Sequence, residues 1–286
     1  MLDSGITAID SHAHVFARGL PLASQRRHAP EYDALLGDYL GHLDRSGISH
    51  GVLVQPSFLG TDNSYLLGAV RQSPRRLRSV AMVPLSIADA ALTELDAQGV
   101  VGIRLNLVGL EVPDFAAPPW QSLLARVRAL GWHVEVHREA RDLPGILEAV
   151  LLSGCTVVVD HFGRPDAVVG INDPGFAGLL RAADSGRVWV KLSAAYRNAR
   201  VSRLHPAERA AALVEHDAAA ATEQAAALLR AFGADRLVWG SDWPHTQHQD
   251  LVDFAGSRTL LDYWIPDAAQ RRCILVDTPA ALYGFR

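Results

Sequence analysis

Eight short runs rich in β-branched residues recur along the chain, at residues 6–10, 50–55, 78–83, 100–105, 133–137, 156–160, 188–192 and 237–240. Between most of them lie stretches whose apolar residues repeat at helical spacing: 39–46, 65–71, 120–130, 143–152 and 223–232. Strands alternating with helices build βα units around a parallel sheet, and strands as uniformly apolar as Val157-Val158-Val159 suit a sheet covered on both faces. Turn signals precede six of the strands, at Gly47, Gly99, Gly131, Gly154, Gly186 and Gly233. Glycine just past a helix end takes the left-handed conformation that strains other residues. Eight such units predict an α/β fold of the (β/α)8 barrel type, although strand counting alone also admits an open doubly wound sheet. Two long connections, 15–38 and 194–222, follow strand ends, where barrel enzymes build their sites. The Ala-rich stretch 210–229 reads as a helix.

At 286 residues the chain suits one barrel domain spanning 1–286, and its 49% hydrophobic and 20% charged content is enough for a large core. The formal net charge is −4 and the basic residues are scattered, which leaves no electrostatic footprint for nucleic acid or an anionic membrane; a small-molecule partner is expected. Two cysteines, Cys155 and Cys273, suit a reducing compartment without a disulfide framework. The N-terminus lacks a basic stretch followed by an apolar one, and no segment approaches the ~18 apolar residues of a membrane span. A cytoplasmic location is expected, and a homo-oligomer stays open.

The sharpest chemical signal is Asp10-Ser11-His12-Ala13-His14 at the end of the first strand. Side chains two apart on an extended chain share a face, so both imidazoles aim into the barrel mouth. His137 closes the fifth strand, His161 follows the sixth and Asp242 follows the eighth. Convergence of such groups from four strands on one rim marks a reaction centre. By contrast, Arg26-Arg27-His28 in the first long loop reads as a solvated basic patch, with attraction of an anionic substrate as the alternative.

These residues carry a family resemblance. Asp10-Ser11-His12-Ala13-His14, Asp160-His161-Phe162-Gly163-Arg164-Pro165 and Trp239-Gly240-Ser241-Asp242-Trp243-Pro244-His245 resemble the second large branch of the amidohydrolase superfamily, over nearly the whole chain. Within it, Gln55-Pro56-Ser57, Gly60-Thr61-Asp62-Asn63, Gly102-Ile103-Arg104-Leu105-Asn106 and Val190-Lys191-Leu192-Ser193 are most similar to lactonases of the 2-pyrone-4,6-dicarboxylate type. The resemblance implies lactone opening, with Asp242 as general base, His12, His14 and His161 orienting water or polarising the carbonyl, and Arg104 holding a substrate carboxylate. Ser57, Arg197 and His245 are further candidates to bind substrate. The chain departs from that lactonase pattern in two places. Leu110 stands where it has a second arginine, which weakens the case for a strongly anionic substrate, and His137 stands where it has tyrosine. Those lactonases work without metal, whereas metal-dependent decarboxylases of the branch use a histidine at the end of this strand as a ligand. Two cofactor states therefore stay open: metal-free, or one divalent ion, Zn²⁺ or Mn²⁺, on His12, His14, His137 and Asp242. The rival readings are a metal-dependent decarboxylase and a non-catalytic small-molecule binding barrel.

Overall fold

The computed structural model describes residues 5–198 and 218–286. Eight parallel strands, in sequential order, form a nearly closed barrel with helices between them. They are β1 (Ile9–Ala13), β2 (His50–Val54), β3 (Leu77–Ala81), β4 (Val100–Asn106), β5 (His133–His137), β6 (Thr156–Val159), β7 (Val188–Ser193) and β8 (Leu237–Gly240). The helices α1 (Leu36–Arg45), α2 (Ser64–Gln72), α3 (Asp89–Ala97), α4 (Pro118–Ala129), α5 (Leu143–Leu152), α6 (Pro174–Arg181) and α7 (Ala218–Phe232) follow β1 to β7 in turn. After β8 come α8 (Phe254–Trp264), α9 (Ala268–Arg272) and α10 (Thr278–Tyr283). The seam between β8 and β1 is held by Asp242 N–H donating to His12 O at 2.8 Å and His14 N–H donating to Trp243 O at 2.7 Å. The open-sheet alternative is thereby set aside.

The apolar strands are buried on both faces: Val157, Val158 and Val159 have no exposed surface. Helix α1 turns an apolar stripe inward with Tyr39 and Leu43, and each fully buried side chain of this size contributes roughly 1.5–3 kcal/mol. All six expected turn glycines have positive φ, from +66° at Gly186 to +87° at Gly99.

Two of the helices between strands, α3 and α6, are not among the stretches named from helical spacing. Helix α3 buries only Leu92, so it has almost no apolar stripe. Helix α6 contains Gly175 and Gly178, whose added Cβ atoms would lie 2.1 Å from Ala140 O and 2.5 Å from Pro144 Cγ; close packing there takes precedence over helix propensity. Strand β1 runs through 9–13 rather than the expected 6–10, because its polar residues find partners inside the protein. A bulge between Asp10 and Ala13 sets three steps on β1 against two on β2. Asp10 then meets Tyr39 of α1 and Ser241, whereas His12 meets groups of the barrel interior. Of the second long connection, residues 199–217 lie outside the described residues, as does the corresponding part of the Ala-rich stretch.

Candidate active site

At the carboxyl ends of the strands, His12 Nε2 and His14 Nε2 stand 3.3 Å apart. The Oδ1 atom of Asp242 lies 3.6 Å from His12 Nε2, 3.7 Å from His14 Nε2 and 4.0 Å from His161 Nε2. All four residues are buried. Their positions rest on strained turns: every non-glycine residue with positive φ among the described ones follows β6, β7 or β8, and His161, Asp242 and His245 are among them. Left-handed backbone costs such residues about 1–3 kcal/mol each and gathers at functional sites.

The two oxygens of Asp242 have different environments. Oδ2 accepts from Tyr196 Oη in a short hydrogen bond and from Arg197 Nε at 2.8 Å, whereas Oδ1 has no hydrogen-bond partner. Burial pushes this carboxyl up, but the Arg197 guanidinium, aided by the histidines, holds it well below the ordinary carboxylate range. The imidazoles move the opposite way. Burial pulls His161 down to about 3 and also depresses His12, with Lys191 adding to the effect, and His14. Near neutral pH the centre is an ionised carboxylate facing three neutral imidazoles.

Hydrogen bonds set the tautomers. His14 Nδ1 lies 2.7 Å from Val54 O, so it carries the proton and leaves Nε2 as a lone pair. His12 Nδ1 has two competing neighbours, Lys191 Nζ at 3.0 Å and Asp160 Oδ1 at 3.3 Å. An ammonium donating to Nδ1 places the His12 proton on Nε2, which then donates to His14. A carboxylate accepting from Nδ1 frees Nε2 as a lone pair. Beneath the histidines, Glu135, Asp160, Lys191 and Arg104 form a buried set of ionisable groups, in which burial and the nearby Asp160 push the Glu135 carboxyl up to about 7. Lys191 reaches Glu135 in a short contact and Asp160 at 3.4 Å, and Arg104 lies 3.6 Å from Glu135 and 3.5 Å from Asp160.

The donor set fits a divalent ion. Tetrahedral ligation at about 2.0–2.2 Å separates ligand atoms by roughly 3.4 Å, close to the 3.3, 3.6 and 3.7 Å among His12 Nε2, His14 Nε2 and Asp242 Oδ1. These three form one group able to hold a metal, and His12, Asp160 and His161 form a second. His137, expected as a ligand, belongs to neither group. Its Nε2 faces the Arg164 guanidinium at 3.3 Å, and a cation there opposes a second positive ion.

A cleft opens over the cluster, lined by His14, His161, Asp242, Ser57, Arg104 and Arg197 among others. Arg104 donates to Gln55 O at 3.0 Å and spends part of its fork on the buried carboxylates. Arg197, expected as a substrate ligand, is bound to Asp242. His245 lies buried behind the lining beside Tyr196, with neither ring nitrogen hydrogen-bonded; Thr246 and Gln247 line the cleft instead. Sequence reasoning missed the roles of Tyr196, Lys191 and Glu135. The one local signal was charge at inward positions of otherwise apolar strands, as in Val134-Glu135-Val136 and Val190-Lys191-Leu192.

The profile of the amidohydrolase family matches residues 9–285. The chain is 34% identical to a 2-pyrone-4,6-dicarboxylate hydrolase of Comamonas testosteroni, over 96% of this chain and 90% of that one. It is 32% identical to a 4-sulfomuconolactone hydrolase of Rhizobium radiobacter, over 97% and 90%. A crystal structure from Pseudomonas putida, of a protein assigned as a 2-pyrone-4,6-dicarboxylic acid hydrolase, superposes with a TM-score of 0.89 at 49% identity, covering 98% of each chain. With a barrel of eight βα units carrying His12, His14, His161 and Asp242 on one rim, the chain belongs to the amidohydrolase family.

Proposed function

We propose that this chain, as one barrel domain over residues 1–286, is an enzyme that hydrolyses a lactone of a small carboxylated compound. The observation that carries the reading is Asp242 Oδ1: an ionised, unpartnered carboxylate oxygen lining a cleft and ringed by three imidazole Nε2 atoms. A water molecule held at Oδ1 gives up its proton there as its oxygen attacks the lactone carbonyl carbon. The carbonyl oxygen takes the negative charge, and an imidazole N–H of the cluster and the Arg104 fork stabilise it. The ring C–O bond then breaks, and the proton passes from Asp242 to the departing oxygen, leaving a free acid and a hydroxyl or enol. Tyr196 and Arg197 hold the carboxylate with Oδ1 toward the cleft.

Bound at His12, His14 and Asp242, Zn²⁺ or Mn²⁺ would lower the pKa of a nearby water and polarise the carbonyl. The relatives above 30% identity are hydrolases by name, which favours hydrolysis over decarboxylation. No described helix is long and apolar enough to cross a membrane, and free Cys155 and Cys273 suit our placement of the protein in the cytoplasm.

A pH-stat screen of carboxylated lactones, with and without added Zn²⁺ or Mn²⁺, tests the reaction through the acid it releases. Asp242→Asn is expected to lose about 10²-fold or more in rate with its circular dichroism unchanged. A variant that keeps more than a tenth of the rate rules out Asp242 as the base.

A further inference from the structure

The neutral His12 ring carries one proton, on Nδ1 or on Nε2, and only the nitrogen without it can bind a metal. Whatever holds Nδ1 therefore decides what Nε2 can do at the reaction centre. Lys191 Nζ is hydrogen-bonded to Nδ1 at 3.0 Å. Asp160 Oδ1 stands at 3.3 Å without a hydrogen-bond partner, and Glu135 Oε1 is farther, at 3.7 Å. An ammonium only donates, so with Lys191 in place Nδ1 is the acceptor and the His12 proton is on Nε2.

The surroundings favour that arrangement. Lys191 has no exposed surface, and its short contact with Glu135 anchors the ammonium from across the barrel. Val54 O holds the His14 proton on Nδ1, which leaves His14 Nε2 as a lone pair facing His12 Nε2 at 3.3 Å. Lys191, His12, His14 and Val54 O thus form one run of hydrogen bonds, each group donating to the next. The ring has little room to swing away. A Cβ on Gly240 would lie 2.6 Å from His12 Cβ, and the ring packs against those of His14 and His161, both at 4.9 Å.

Ligation of a divalent ion at His12 Nε2 needs the other tautomer. The proton then sits on Nδ1 and donates to Asp160 Oδ1, the kind of carboxylate contact that orients metal-bound histidines. In that state Nδ1–H and the Lys191 ammonium meet donor to donor at 3.0 Å. The buried ammonium loses an acceptor as a second cation enters nearby. We infer that Lys191 is a positioning residue that sets the metal state of the centre: by donating to His12 Nδ1 it keeps His12 as an Nε2–H donor and disfavours a divalent ion, which gains His12 as a ligand only when Asp160 takes over that nitrogen. The inference concerns the centre alone and holds whatever substrate it acts on.

The test needs no substrate. Heteronuclear NMR of protein carrying isotope-labelled histidine, with the His12 signals assigned through His12→Gln, reads which ring nitrogen is protonated, and calorimetry reads Zn²⁺ affinity. In the metal-free wild type the His12 proton should be on Nε2. Lys191→Met should move it to Nδ1 and tighten Zn²⁺ binding about tenfold or more, the scale of one buried hydrogen bond. Because Lys191→Met also unbalances the buried charges, Glu135→Gln/Lys191→Met measured against Glu135→Gln gives the same comparison with that imbalance reduced. A His12 proton on Nδ1 in the wild type overturns the inference, and this reading stands even where neither variant folds. Zn²⁺ binding that is unchanged or weaker in folded protein without Lys191 also overturns it. So does tighter binding with the His12 tautomer unmoved, which would reduce Lys191 to a repelling charge.

Discussion

Asp242 is kept ionised by Arg197, and that contact fixes the direction of its pH dependence. The carboxyl sits well below its ordinary value in the folded protein, and the proposed hydrolysis requires its ionised form. Activity is therefore retained as pH falls until the folded pKa is crossed, and kcat/KM of the wild type should stay level down to about pH 5. Replacing Arg197 with Gln leaves burial as the main influence, so the carboxyl pKa rises and an acid limb should move up by about 1–3 pH units. An unmoved limb in a folded Arg197→Gln protein would show that the guanidinium does not tune the base. The metal geometry makes a second claim at this scale. By calorimetric Zn²⁺ titration, His14→Asn and Asp242→Asn should each weaken binding tenfold or more, and His137→Asn should not, since His137 faces Arg164. A comparable loss in His137→Asn would restore it as a ligand. The candidate ligands and the proposed base were legible because His-x-His and a strand-end aspartate mark the chain locally. Tyr196 carried no such mark, since its role depends on a contact with a residue 46 positions away.

Among the elements, the approach of β8 to β1 is the most demanding. A Cβ on Gly240 would lie 2.6 Å from His12 Cβ and 2.9 Å from His12 N, so Gly240→Ala must push β1 outward and His12 with it. We expect a loss of about 1–3 kcal/mol in urea unfolding, together with a fall in kcat. Gly131→Ala, at a turn with φ +71° and open space around the missing Cβ, should cost only the left-handed strain of about 1–2 kcal/mol and leave kcat intact. Equal kcat in both variants would mean that the spacing of β8 and β1 does not position His12. The turn glycines were readable because φ sign is a local property. The bulge in β1 was not, since it depends on Ser241 and Tyr39 accommodating Asp10.

Across the whole molecule, the barrel interior encloses charge as well as hydrocarbon. Lys191 from β7 balances Glu135 from β5 and Asp160 beyond β6, all three with 1% exposure or less. Removing one partner of a buried ion pair costs about 3–5 kcal/mol, because the other charge is left without compensation. Lys191→Met should lower stability by that amount in urea unfolding, and Glu135→Gln added to it should recover part. A loss below about 1 kcal/mol would mean that the network is not balanced through Lys191. The sequence by itself determined the barrel, its turn glycines and the rim position of His12, His14, His161 and Asp242, because periodicity and strand-end placement are written locally. Only the tertiary structure decided which oxygen of Asp242 is free, that His137 stands apart and that Lys191 bonds to His12. Each depends on atoms brought together from distant segments, and no spacing along one strand encodes such contacts.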